Sequence, residues 1–224
     1  MDLTAEEQRA LGALIEKQYL TPDVYPMTMN GLISACNQTS NRHPIVAYDE
    51  ATIHAALDGL REKGLTRVVY SPSNRATKYR QVFEESRQLT RAEAAVMCVL
   101  LLRGPQTVGE LRTRTERIHG FESLPEVEAV LERLSEPSNA RPDDPLVRRL
   151  DRGPGQKEAR YTHLMGPVPE PAADDGPPRL SRPADGVQPG LADEVRRLRD
   201  DLDALRAAHD ALRAEFEALR DQLV

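Results

Sequence analysis

Residues 49–83 read DEATIHAALDGLREKGLTRVVYSPSNRATKYRQVF, and the periodicity of the chain changes once within them. Ile53, Ala56, Leu57 and Leu60 recur at spacings of three and four behind Asp49, whose carboxylate can accept from the first free N–H groups of a helix. Thr66–Tyr70 and Arg75–Phe83 then turn to β-branched, aromatic and charged residues on either side of Ser71-Pro72-Ser73-Asn74. That composition favours a tight turn, so a β-hairpin is predicted after the helix.

Two further helices precede this pair. Thr4-Ala5-Glu6-Glu7 has the residue types of a capping box and opens a helix with Leu11, Leu14 and Ile15 on one face, while Met29, Leu32, Ile33 and Cys36 mark a second. The series starts again at Thr90-Arg91-Ala92-Glu93 with Val96, Val99 and Leu100, and continues at Thr107-Val108-Gly109-Glu110 with Leu111 and Ile118. It reaches a third helix with Val127, Val130, Leu131 and Leu134 after Ser123-Leu124-Pro125-Glu126. A second hairpin is predicted from Leu146–Leu150, Arg152-Gly153-Pro154-Gly155 and Ala159–Leu164. Three helices and a hairpin, twice over, give a mainly α chain with small β-hairpins (α+β), read as two tandem winged-helix domains at 1–86 and 87–165. The length of 224 residues, with 39% hydrophobic residues, 4% aromatic residues and no Trp, suits two small aliphatic cores and excludes a large aromatic-rich barrel.

Residues 166–190 contain seven Pro and four Gly without apolar periodicity, the composition of a disordered linker. Beyond it, residues 191–224 carry a heptad pattern with Val195, Leu202, His209, Phe216 and Leu223 at a, and Leu191, Leu198, Leu205, Leu212 and Leu219 at d. Position e holds Arg199, Arg206, Arg213 and Arg220, and g holds Glu194, Asp201, Ala208 and Glu215. A parallel pair sets g acids against e arginines, whereas an antiparallel pair sets arginine beside arginine, so a parallel homodimer is expected, with a trimer left open by Leu202 at a.

Several motifs also carry a resemblance. Leu14-Ile15-Glu16-Lys17 through Thr21-Pro22-Asp23-Val24-Tyr25-Pro26, Ala35-Cys36-Asn37-Gln38-Thr39-Ser40-Asn41-Arg42, Asn74-Arg75-Ala76-Thr77-Lys78-Tyr79, and Leu100-Leu101-Leu102-Arg103-Gly104-Pro105-Gln106-Thr107 through Gly109-Glu110-Leu111-Arg112 occur in that order. They resemble the YceH family, bacterial tandem winged-helix proteins of unassigned function, as does Gly155-Gln156-Lys157-Glu158-Ala159-Arg160-Tyr161. The resemblance covers residues 1–165 and departs from the family only in having Leu20 before Thr21-Pro22, where two threonines are usual. It implies the fold and brings no catalytic residue, ligand or partner.

The formal net charge of −6 argues against a protein that coats nucleic acid through its overall charge, but the charge is uneven. Residues 167–224 hold eight bases and thirteen acids, leaving residues 1–166 near neutrality. Residues 61–91 carry eight bases against Glu62, Glu84 and Glu85, so the first hairpin is a basic patch. Arg75, Lys78 and Arg80 are its candidate phosphate contacts, and Asn37, Gln38, Asn41 and Arg42, after the second helix, could read base edges or close a turn. The third helices are net acidic, the second strongly so, which makes them poor guests in a phosphate-lined groove.

No nucleophile elbow, complete phosphate loop or metal-ligand spacing appears; Gly153-Pro154-Gly155-Gln156-Lys157 lacks the frame and the hydroxyl residue of such a loop. No cofactor or metal is expected. Cys36 and Cys98 lie in apolar helical patterns as buried thiols, the Asp2–Ala10 start is unlike a secretory leader, and the longest apolar run, Ala94–Leu102, is about half a membrane span. A cytoplasmic, non-enzymatic homodimer that binds double-stranded DNA or acts in transcription is the expected function. The competing expectation is an adaptor whose winged helices, the second in particular, bind protein. His209 in the heptad seam supplies a test: the melting temperature of the C-terminal helix rises with protein concentration and falls as pH drops from 8 to 5 through the ordinary imidazole range of about 6.5. A melting temperature indifferent to both overturns the pairing.

Overall fold

In the computed structural model, which describes residues 2–70, 76–137, 145–152 and 158–167, three threonines open helices as their sequence context predicts. The hydroxyls of Thr4, Thr90 and Thr107 accept from the N–H groups of Glu7, Glu93 and Glu110 at 3.2, 3.3 and 3.2 Å, and each glutamate accepts the threonine N–H at 2.8 Å. Such caps contribute about 1 kcal/mol each. Thr28 and Asp49 cap two more helices through their side chains.

The first repeat runs α1 (Ala5–Leu20), a single 3-10 turn (Pro22–Val24), β1 (Met27–Thr28), α2 (Met29–Cys36), α3 (Glu50–Glu62), β2 (Thr66–Val69), β3 (Lys78–Gln81) and α4 (Phe83–Arg87). The second runs α5 (Arg91–Arg103), α6 (Val108–Thr115), α7 (Leu124–Ser135), β4 (Val147–Arg149) and β5 (Tyr161–His163). The described chain is therefore mainly helical with small antiparallel sheets. The expected strand Arg75–Phe83 is shorter than its sequence pattern: Phe83 is fully buried and starts α4, which ends at Gln88 in the left-handed region (φ 52°). The first sheet has the order β1-β3-β2, with Met27 opposite Tyr79 and Val68 opposite the other side of Tyr79. Gln106 pairs with Tyr161 in the second repeat as β1 does in the first, immediately before a capping threonine in both. Arg75, the turn residues 71–74 and 153–157, the expected linker beyond 167 and the heptad positions Val195, Leu198, Leu202, Leu205, His209, Leu212, Phe216 and Leu219 lie outside the described residues.

Helices α1 and α5 differ from the one-faced pattern read in the sequence. Residues 7–16 and 93–102 are buried without interruption, so both helices are covered on every side. They pack on each other, and one continuous hydrophobic core spans both repeats. Gly12 sits at their contact: a Cβ built there would lie 2.8 Å from Leu102 Cγ and 3.2 Å from Leu101 Cβ, and its carbonyl lies 3.5 Å from Cys98 Sγ. Further bonds cross between the repeats, from His43 N–H to the Leu102 carbonyl and from Leu3 N–H to the Met165 carbonyl, both at 2.8 Å.

Gly12→Val is expected to cost about 1–3 kcal/mol in urea denaturation, because the added methyls overpack a closed core. Gly109→Ala, where an added Cβ would meet Thr107 Oγ1 at an unstrained 4.0 Å, is expected to be neutral or to stabilise by up to about 1 kcal/mol through helix propensity.

Candidate nucleic-acid interface

Strand alternation divides the first hairpin into two faces. Thr66, Val68, Tyr79 and Gln81 share one, and Thr66 Oγ1 donates to the Leu57 carbonyl of α3 at 3.4 Å. Arg67, Val69, Lys78 and Arg80 share the other, with Arg67 directly opposite Arg80 and Lys78 opposite Val69. Like charges placed so repel across a sheet. Glu85 of α4 relieves the repulsion by taking Arg80 in two contacts, Nη1–Oε1 at 2.6 Å and Nη2–Oε2 at 3.4 Å. These hydrogen bonds, helped by the charges of Arg80 and Arg67, hold the Glu85 carboxyl below its ordinary range.

Not every base of the sequence patch is available there. Arg61 pairs with Asp58 at 3.0 Å and Lys63 with the buried Glu7 at 2.6 Å. Arg91 donates from Nε to the Ile118 carbonyl and lies 4.8 Å above the Tyr19 ring. Arg67 and Lys78 make no ion pair among the described residues, and Arg67 is exposed. Among the described residues they are the cations that the hairpin presents outward, together with the partly exposed Arg80.

The loop after α2 is built inward. Asn37 donates from Nδ2 to the Tyr48 carbonyl and accepts the Tyr48 N–H at Oδ1, both at 2.8 Å, so one side chain closes the loop as a strand partner would. Arg42 is buried: it reaches the Glu16 carboxylate through Nη1 at 3.0 Å and Nη2 at 2.6 Å, and donates to the Ala35 and Asn41 carbonyls and to Gln38 Oε1. Asn41 has φ 59° and accepts from Arg103 Nη1 at 2.7 Å. Gln38 and Asn41 meet at Arg42 while Asn37 holds Tyr48, and the donors of Asn37 and Arg42 are engaged by the protein itself rather than turned toward a base edge. Burial raises the Glu16 pKa, yet the Arg42 hydrogen bonds and charge outweigh it and leave the carboxyl below its ordinary value. Arg9, buried beside them, donates to the Cys36 and Pro44 carbonyls. Burial and then Arg42 lower its pKa. Neither Glu16 nor Arg9 was singled out by sequence reasoning, because both fall on what reads as the polar face of α1.

Between α3 and the inner face of the hairpin lies a cleft of about 200 Å³, lined by His54, Leu57, Asp58, Arg61, Val68, Tyr70, Thr77 and Tyr79. Asp58 binds His54 Nδ1 and Arg61 Nη2, each at 3.0 Å, so the charges on this face of α3 compensate one another. The second repeat has its own cleft of about 340 Å³, where Val108, Leu124 and Tyr161 meet Glu128, Glu158, Arg149 and Arg152. Arg148, Arg149 and Arg152 are exposed in and beside its hairpin, a second basic group that the sequence charge window, closed at residue 91, did not reach. Glu126, Glu128 and Glu132 line the exposed side of α7, with Leu124 44% exposed at its start. Among the described residues no helix is long and apolar enough to cross a membrane, and no three His, Cys, Asp or Glu side chains converge as metal ligands.

The family model described as "Protein of unknown function, DUF480" matches residues 3–156. The chain is 52% identical over 182 residues to a UPF0502 protein of Opitutus terrae, covering 77% of each chain. It is 47% identical over 199 residues to a UPF0502 protein of Solibacter usitatus, covering 88% of this chain and 93% of that one. It is 46% identical over 168 residues to the UPF0502 protein YceH of Salmonella paratyphi B, covering 73% and 76% respectively.

The Arg42–Glu16 pair yields a thermodynamic cycle. Arg42→Met is expected to cost about 3–5 kcal/mol at pH 7, because it strands a buried carboxylate, and the double change Arg42→Met with Glu16→Met is expected to recover much of that loss. The wild-type pair lowers the Glu16 pKa on folding, so its stabilisation is full above the ordinary carboxylate value and is lost as pH falls through the folded value. The gap between wild type and Arg42→Met in urea melts therefore narrows on acidification.

Proposed function

The chain belongs to the DUF480 family, and from that starting point we propose that it is a non-enzymatic, cytoplasmic protein that binds double-stranded DNA through the first hairpin of a tandem winged-helix pair. The observation that carries this reading is the outward face of β2 and β3. There Arg67 and Lys78, without ion-pair partners among the described residues, stand beside Arg80. Such a cluster suits sequence-independent phosphate contacts.

The two third helices support a hairpin-led contact rather than a helix-led one. In a winged-helix protein that reads the major groove, the third helix brings its exposed side chains to the base edges. Here that face of α3 is charge-compensated by Asp58, and that of α7 carries Glu126, Glu128 and Glu132. Contact through a few phosphates is weak and salt-sensitive. Pairing two copies through the heptads of residues 191–224 raises the effective concentration of the second hairpin once the first is bound. A role in transcription fits this arrangement.

A second reading has its own support. The partly exposed Leu124 beside the acidic side of α7 is the kind of surface that takes a basic protein partner, and it suits an adaptor that works through the second repeat.

Fluorescence anisotropy of a labelled duplex with the full chain tests the DNA reading. Affinity is expected to fall steeply with salt, and Arg67→Ala with Lys78→Ala to flatten the log–log salt slope by about 2, at roughly 0.9 per phosphate contact removed. A chain that binds no duplex at low salt overturns the reading and leaves the adaptor.

A further inference from the structure

The cleft between α3 and the first hairpin is not used by phosphate contacts on the hairpin's outer face, yet it carries a different chemistry. Tyr70, just beyond β2, is 83% exposed, more than the other exposed large hydrophobics among the described residues, Val24, Ile45 and Leu124. By strand alternation it continues the face of Val68, and it lines the cleft with Tyr79. The cleft of about 200 Å³ is smaller than the roughly 300–1,000 Å³ of pockets for drug-sized ligands, which restricts it to a single small ring system. Around it stand groups that donate and accept along the edge of such a ring: the Thr77 and Tyr79 hydroxyls, His54, and Asp58 held by Arg61.

Resting on the nucleic-acid reading above, we propose that this cleft receives one unpaired nucleobase, stacked on Tyr70. β2 is an edge strand of the single-layered sheet β1-β3-β2, so a nucleic-acid strand passing over that edge presents phosphates to Arg67 and Lys78 on one face and a base to the cleft on the other. A base inside an intact duplex is covered on both faces by its neighbours and cannot enter. The protein thus distinguishes a duplex carrying an unpaired base from a continuous one, although both offer the same phosphates to the outer face. An aromatic platform of this kind tolerates any base, since each has a π-face.

Anisotropy titrations of the full chain compare two labelled DNA duplexes of equal length, one fully paired and one with a single bulged adenine. Wild type is expected to bind the bulged duplex about tenfold more tightly, within the range measured for base–aromatic stacking. Tyr70→Ala is expected to abolish that preference while binding the paired duplex as wild type does, and Tyr70→Phe, which keeps the ring, to retain it. Because Tyr70 is exposed, neither substitution disturbs the core. Equal binding of the two duplexes by wild type overturns the base site and leaves the hairpin reading standing. A Tyr70→Ala loss that is the same on both duplexes overturns the stacking assignment, and failure to bind either duplex overturns both readings.

Discussion

The guanidinium of Arg42 is buried, and a charge held out of water must be met by charge and by hydrogen bonds from the protein. Glu16 supplies the charge, and the Ala35 and Asn41 carbonyls and Gln38 supply the remaining acceptors. This one requirement shapes residues 37–49, a long connection with no regular secondary structure between α2 and α3. Its middle is held by Arg42 on Glu16 of α1 and by Arg9 on the Pro44 carbonyl, and its two ends are tied together by Asn37 clamping Tyr48. Asp49 then caps α3 directly after the clamp. The direction of α3 follows, and with it the hairpin that packs on α3. The outward cations and the inner cleft therefore both depend on an ion pair that touches neither.

The electrostatic layout of the hairpin shows how repulsion and ligand readiness are balanced. Three cations on one face of two short strands destabilise the sheet, and a single glutamate on α4 compensates for one of them. Complete compensation would remove the surface that phosphate could neutralise. The partial compensation leaves net positive charge on a chain whose overall charge is negative.

Features set by neighbours along the chain were legible before the structure: the threonine boxes, the Asp49 cap, the third helices and the two-fold repetition of helices and hairpins. Features set by distant partners were not. The strand β1 is two residues long and exists because Met27 and Thr28 find Tyr79 and Lys78 half a repeat away. Arg9 and Glu16 look like a solvated helix face until the loop carbonyls and Arg42 cover them, and the cap residue Glu7 also takes Lys63 from beyond α3. The residues after α2 were recognised by type but not by direction, because an amide or guanidinium that can read a base edge can equally satisfy a backbone carbonyl. For the hairpin, Lys78 and Arg80 were legible as candidates; that Glu85 takes Arg80, and that Arg67 has no ion-pair partner among the described residues, depends on where α4 places Glu85.

The contact between α1 and α5 joins the first helix of one repeat to the first helix of the other, so equivalent surfaces meet each other. That is the pattern of an isologous interface, in which one patch is complementary to itself. Each repeat alone would expose the side of its first helix that meets the other, marked by Gly12 in the first and by Cys98, Leu101 and Leu102 in the second. A chain with a single repeat could cover that side by pairing with an identical copy. The tandem chain thus has the internal organisation of a dimer whose two subunits are joined in one chain, and the two halves need not carry the same surface.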